Sequence, residues 1–249
     1  MNYEDVQKVS NAAKAKSNLV NTNFFKYFIR AVMAGFFIDV AMIYSNVVGN
    51  VFSKTMPEWG KFMGALVFSI AVLLISFVGG ELFTGNNMVM AFGAYDKQVS
   101  WKEAGKVWGV SYLGNFVGCA ILALLFVWAG ASGTADYFAG FIGNKLSIPL
   151  GQMFFRAVLC NFFVCLGVLC GMKLKSDAGR FLMIVMCISG FVVSGFEHCI
   201  KHGNLCYSIL SGTWIIPWSH GKEHGSSNFR KYGGRCPVAG MAAQKDECR

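Results

Sequence analysis

The chain has 249 residues, 55% of them hydrophobic and 14% charged, with a mean hydropathy of +0.48, which excludes an ordinary soluble domain and points to an integral membrane protein. The formal charge of +9 does not signal nucleic acid, because the bases sit in short segments between apolar runs and in the tail, not along one face. Nine cysteines are present, but Cys119, Cys160, Cys165, Cys170, Cys187 and Cys199 lie in or at the ends of apolar runs, where a thiol acts as a small hydrophobe. No CxxC or zinc-type spacing appears, so neither a disulfide framework nor a metal or other cofactor is expected.

Residues 1–23 are polar enough to exclude a cleavable signal peptide. Val6, Val9, Ala12, Ala13 and Leu19 alternate there with Lys8, Lys14 and Lys16, which predicts an amphipathic helix on the cytoplasmic interface. A first span follows over about Phe28 to Val51. The next apolar run, Phe62 to Met90, is too long for one straight crossing of about 20 residues. It is also interrupted by FVGGELFTGNNMVM (Phe77 to Met90), where Gly79, Gly80, Glu81, Thr84, Gly85, Asn86 and Asn87 would be intolerable on a lipid-facing helix. Irregular polar backbone survives at membrane depth only where it lines a cavity or is buried in protein. The run is therefore read as two half-helices beside a permeation path. Further spans are expected over Ala104 to Ala129, over Leu150 to Met172, and from about Phe181 onward, with a short helix or loop over Ser132 to Lys145.

Bases give the orientation. Lys8, Lys14, Lys16, Lys26, Arg30, Lys97, Lys102, Lys106, Lys173, Lys175 and Arg180 fall on one side, against Lys54, Lys61 and Lys145 on the other. The excess predicts a cytoplasmic N-terminus. The fifth span repeats the design of the second: Ser194-Gly195-Phe196-Glu197-His198 mirrors Gly79-Gly80-Glu81-Leu82-Phe83-Thr84 three spans earlier. An odd offset makes the two copies enter from opposite sides, so the expected fold is all-α, an inverted repeat with two broken helices around a central site.

At these residues the chain resembles the formate/nitrite family of anion channels. The resemblance rests on Gly80-Glu81-Leu82-Phe83-Thr84-Gly85, on Asn161-Phe162-Phe163-Val164-Cys165-Leu166-Gly167, and on Gly195-Phe196-Glu197-His198. Within the family, the ELFTGNN wording is most similar to the hydrosulfide-channel branch and next to the nitrite branch. The resemblance implies an aquaporin-like arrangement of three plus three transmembrane helices, a homopentamer with one pore per protomer, and residence in the cell membrane. It places Thr84 and His198 opposite each other at the pore centre, with Asn161 in the polar lining. Leu82, Phe83, Phe68 and Val164 would form the outer constriction, Val72 and Phe191 the inner one, and Lys145 would stand in the outer vestibule. Val72 occupies a position where leucine is common, which leaves the width of the inner slit open.

The tail departs from this pattern. Beyond Ile200 the family has the rest of the fifth helix and a sixth span, whereas residues 201–249 carry no long apolar run. Without a sixth span, pore backbone would face lipid at several kcal/mol per unsatisfied group. Arg230 to Met241, back-translated and read one base later, gives a Gly- and Ala-rich stretch resembling the family's sixth helix. A frameshift near Lys201 is the reading this supports, against a divergent cytoplasmic tail. The expected layout is an N-terminal segment over 1–23, a transmembrane channel domain over 24–200 and an atypical tail over 201–249.

The expected activity is passage of formate, nitrite or hydrosulfide, with no enzymatic step and no nucleic acid; the partners are the small anion, membrane lipid and other copies of the chain. A proton-coupled carrier of the same anions is the main alternative. An aquaporin-like pore for neutral solutes is disfavoured by the absence of an Asn-Pro-Ala signature at either break. A membrane enzyme or redox protein is disfavoured because the histidines lack bis-haem spacing. Glu81 and Glu197 are read as structural, holding N–H groups at the breaks. Asp39 is expected to pack against a polar group of a neighbouring helix or protomer, and Arg156 to pair with a carboxylate or carbonyl.

Overall fold

The structure is a computed structural model and describes residues 3–130, 148–196 and 198. Lys145, Glu197, Cys199, the Ser132 to Lys145 segment and the tail over 201–249 lie outside the described residues. All regular structure among the described residues is helical. The elements are α1 (Tyr3–Thr22), α2 (Phe24–Thr55), α3 (Pro57–Phe68), α4 (Ile70–Leu74), a π-helical turn (Ile75–Gly79), α5 (Phe83–Tyr95), α6 (Trp101–Trp128), α7 (Leu150–Lys173) and α8 (Asp177–Val193).

Local sequence sets the ends of these helices. Asn23 caps α2 by accepting from the Lys26 N–H at 3.0 Å, and Pro57 opens α3 at a position that needs no N–H. Ser100 and Glu103 form a reciprocal capping box at the start of α6. Ser176 caps α8 by accepting from the Gly179 N–H, so the helix begins at Asp177, four residues ahead of the expected start at Phe181. The helices α2, α6 and α7 and the continuous run from Pro57 to Gly79 are each long and apolar enough to cross a membrane. The first arm of the broken span is thus 23 residues and not a half-length piece, because it begins at Pro57 and not at Phe62.

The scaffold is centred on α2. Glycines let α6 approach it closely: a Cβ at Gly35 would run into the Asn115 carbonyl, and one at Gly118 into that of Val32. Such small-residue contacts are how helices gain packing where no hydrophobic effect separates them from lipid. One buried cluster joins α2, α3, α4, α7 and α8, with Ile38, Phe68, Val72, Leu82, Val164 and Phe191 among its members. A second joins α1 to α2, α5 and α6 through Val9, Ala13, Val20, Tyr27, Val89, Met90 and Val107.

The placement of α1 differs from the expected interfacial helix. Its apolar positions Val9, Ala13 and Val20 are buried against protein. Its polar side chains tie it to three other parts of the chain: α7, α6 and the broken span. Lys173 pairs with Asp5 at 2.8 Å, Ser17 donates to Glu103 at 2.7 Å, Lys106 donates to Asn21 at 2.7 Å, and Lys16 pairs with Glu81 at 2.5 Å. Amphipathic spacing gives the buried face of a helix but not what covers it, and here the cover is the rest of the fold.

Candidate functional site

The site is built on two interruptions of the helices. After the π-helical turn, Gly79 takes φ +102° and Gly80 is extended, so the chain leaves the helix before restarting at Phe83. A π turn followed by a break frees main-chain groups that need partners. The Glu81 N–H donates to the Arg30 carbonyl at 3.0 Å. Asn115 of α6 does most of the rest: its Oδ1 accepts from the Phe83 N–H at 2.9 Å, while its Nδ2 donates to the carbonyls of Ala31 at 2.7 Å and Glu81 at 2.9 Å. Phe83 is the first residue of α5, so the asparagine fixes the start of the second arm against α2. The Glu81 carboxylate is buried and takes Lys16 as its partner; the loop N–H groups are held by Asn115 and by the Arg30 carbonyl.

Further along α5, Asn86 donates to the Tyr27 hydroxyl at 2.9 Å, and the Trp108 indole donates to the Asn86 carbonyl at 3.1 Å. These bonds fix the first turn of α5, where Thr84 sits. The second break follows α8: Ser194 ends the helix, Gly195 takes φ +75°, and Arg156 of α7 donates to the Gly195 carbonyl at 3.4 Å.

The two breaks meet at one contact. Thr84 Oγ1 lies 3.3 Å from His198 Nε2, with the threonine 1% and the histidine 2% exposed. Either tautomer of the ring can complete this bond, so His198 can present a donor or an acceptor here. The ring stacks on Phe191 with centroids 6.1 Å apart, and Phe191 meets Phe68 edge-on at 6.3 Å.

Leu82, Phe68, Val164, Val72 and Phe191 are all buried in one apolar cluster, with Phe83 packed on its edge. The Phe68–Phe191 contact joins members of the two expected constrictions within one cluster. Asn161 is one step removed: its Nδ2 is 3.5 Å from Cys165 Sγ, which in turn is 3.9 Å from the Thr84 carbonyl. Its Oδ1 is buried and has no hydrogen-bond partner among the described residues.

The described residues thus place a buried Thr–His pair at the junction of two broken helices, next to an apolar cluster, in a chain with four helices long and apolar enough to cross a membrane. The model of the formate/nitrite transporter family matches residues 3–220. This chain belongs to that family. Its members are transporters and channels, so the chain is a multi-pass membrane transport protein and not an enzyme. The family match runs past Ile200, where the sequence motifs end.

Among relatives, the nitrite transporter NirC of Escherichia coli is 30% identical over 203 residues, covering 79% of this chain and 72% of NirC. A solved structure of an FNT family ion channel superposes with a TM-score of 0.79 at 26% identity, covering 84% of each chain. A pentameric formate channel with formate bound gives a TM-score of 0.64 at 25% identity, covering 76% of this chain and 80% of the other. The all-α membrane architecture of this formate/nitrite transporter family member is therefore that of the family's channels.

Three residues that hold the site were missed in the sequence. Asn115 lies in the apolar run of α6, yet it is a lone amide between Gly114 and Gly118 on the face packed closest to α2, which was a readable signal. Lys16 looked like a solvated charge. Cys165 looked like a small hydrophobe, and nothing in its spacing marked a contact with Thr84.

Proposed function

We propose that the chain forms a channel for small monovalent weak-acid anions, with formate, nitrite and hydrosulfide as the candidate substrates, and that Thr84 and His198 are the centre of its path. The observation that carries this reading is the buried 3.3 Å contact between them across the two breaks. An anion entering a low-dielectric constriction loses most of its hydration, and this penalty must be met without creating a deep trap. A neutral ring can offer one hydrogen bond to the anion, or a proton once charged, and the protonated acid then passes the apolar collar as a neutral species. Leu82, Phe83, Phe68, Val164, Val72 and Phe191 are the residues that exclude hydrated cations and large solutes in this scheme.

Asn161 extends the polar lining through Cys165, and Lys145 concentrates anions at the outer mouth. Glu81 and Glu197 serve the breaks and not the anion. The assembly is a homopentamer in the cell membrane, with the N-terminus in the cytoplasm. The channel domain spans 24–200, and the tail over 201–249 is a frameshift product; an uninterrupted reading frame across the codon for Ile200 would remove that assignment.

The test is uptake by proteoliposomes of formate, nitrite and hydrosulfide against chloride and glycerol, with His198→Ala alongside. Loss of one hydrogen bond to a charged group is worth about 1.5–3 kcal/mol, so weak-acid flux is expected to fall by about 10- to 100-fold. Equal glycerol flux, or full anion flux in inserted His198→Ala protein, would refute the reading.

A further inference from the structure

Thr84 meets two neighbours with two different atoms. Its hydroxyl faces His198, and its main-chain carbonyl faces the Cys165 thiol of α7 at 3.9 Å. One turn earlier on the same face of α7, Asn161 sets its Nδ2 3.5 Å from that sulfur. Asn161 is flanked along the helix by Cys160 and Val164, both buried in the cluster that holds Phe68, Leu82 and Phe191. The amide therefore belongs to the same neighbourhood as the apolar collar.

The single hydrogen of the thiol decides how this amide lies. A thiol has one S–H to give, and the Thr84 carbonyl takes it. What remains on the sulfur is an acceptor, so the end of the amide turned toward it is the NH2. With the amide reversed, Oδ1 would face sulfur lone pairs with no hydrogen between them. Oδ1 is thus directed away from Cys165, and there it is buried with no hydrogen-bond partner among the described residues. Buried carbonyl oxygens are costly to leave unpaired and are rarely kept without a purpose.

An unpaired acceptor has the wrong polarity for an anion. It suits a molecule that carries an O–H: formic acid and nitrous acid each have one, and their anions have none. On the reading that Thr84 and His198 centre a path for weak acids, we infer that Asn161 Oδ1 is the acceptor for the acidic hydrogen of the neutral species, and that Cys165 is the positioning residue that holds the amide in this sense. The two residues then favour the protonated acid over its anion by one hydrogen bond, whichever group supplies the proton.

The experiment uses the full chain in proteoliposomes and compares initial fluxes of formate and nitrite with that of nitrate at two pH values. Nitrate matches nitrite in charge and nearly in size, but it stays ionised at any working pH and has no hydrogen to offer Asn161. The parent is expected to pass formate and nitrite, faster at the lower pH, and to exclude nitrate. Cys165→Ala frees the amide to turn its NH2 toward an anion, so nitrate flux relative to formate should rise about fivefold, the worth of one hydrogen bond. Cys165→Ser keeps a hydrogen for Thr84 and a lone pair for Asn161, and should return the parent ratio. A ratio of two fluxes does not depend on how much of a variant folds. Asn161→Leu should lose about fivefold in formate flux with no gain for nitrate. An unchanged nitrate-to-formate ratio in Cys165→Ala, or a serine variant as permissive as the alanine one, would overturn the assignment of Cys165. Nitrate passing the parent as fast as formate would overturn the acceptor role of Asn161. Absence of weak-acid flux from inserted parent protein would instead fail the reading of the Thr84–His198 path, and the inference with it.

Discussion

The two helix breaks look alike in sequence but are held by different means. At the first, three chemically distinct supports converge: Asn115 bridges α2, α6 and the start of α5, the Arg30 carbonyl takes the Glu81 N–H, and Lys16 of α1 neutralises the Glu81 carboxylate. At the second, the described supports include the 3.4 Å bond from Arg156 to the Gly195 carbonyl and the stacking of His198 on Phe191. Gly-Glu and Gly-Phe-Glu therefore mark where the chain must leave the helix, while the strength of the break is set by residues far away in sequence. Thr84 is anchored on a braced arm, and His198 faces it from the second break.

The largest break in this comparison should come from Lys16→Ala. It leaves the nearly buried Glu81 carboxylate without its cation, and uncompensated buried charges cost about 3–5 kcal/mol. The low end is expected, since the Lys16 side chain is 21% exposed. The fall should appear as a lower unfolding midpoint in detergent, and Lys16→Ala/Glu81→Gln should recover most of it. A parent-like midpoint for the single variant would mean that α1 is not a brace.

Asn115→Ala should follow at about 2–3 kcal/mol, because it orphans the Phe83 N–H and two carbonyls at once. Anion flux should fall with it, since Thr84 is the next residue along. Asn115→Asp keeps an acceptor for Phe83 but sets a buried carboxylate against the Ala31 and Glu81 carbonyls, so it should cost at least as much as alanine; a parent-like midpoint for this isosteric change would show that the asparagine acts through packing. Arg156→Gln should be milder, about 1 kcal/mol or less, given one long bond. Its signature is functional: flux should change more than the unfolding midpoint, and the reverse ranking would show that the second break is as firmly braced as the first.

How much of this was legible follows from the kind of signal each residue sends. Polar residues inside an apolar run are visible because lipid forbids them, and that exposed Glu81, Thr84 and His198 together with the breaks around them. The straight spans were legible to within four residues at each end, unlike the start of the broken one at Pro57, where polar Glu58 and Lys61 masked an additional turn and a half of helix. Lys16 was illegible because its partner lies 65 positions away, and a lysine on an amphipathic helix is normally a solvated face. Cys165 was illegible for the opposite reason, since a thiol among Val164, Leu166 and Gly167 is chemically quiet until the fold brings a carbonyl to it. The sequence thus disclosed where helices fail and left undisclosed what holds the failures in shape.

The smallest effect is also the control for the comparison. Gly79 at φ +102° and Gly195 at φ +75° are both in the left-handed half of conformational space, and both have room for a methyl group. The nearest atom to a Cβ at Gly79 is Arg30 Nη2 at 3.7 Å, an ordinary contact, and at Gly195 none of the described residues comes within 4 Å. Alanine should therefore cost only the backbone term, about 1 kcal/mol or slightly more, and the same at both sites. Equal losses in unfolding midpoint for Gly79→Ala and Gly195→Ala would show that the turns themselves are equivalent and that the asymmetry lies in the braces. A clearly larger loss at Gly79 would instead mean that the firmly held break cannot relax around the strain, so that bracing and turn geometry are not separable.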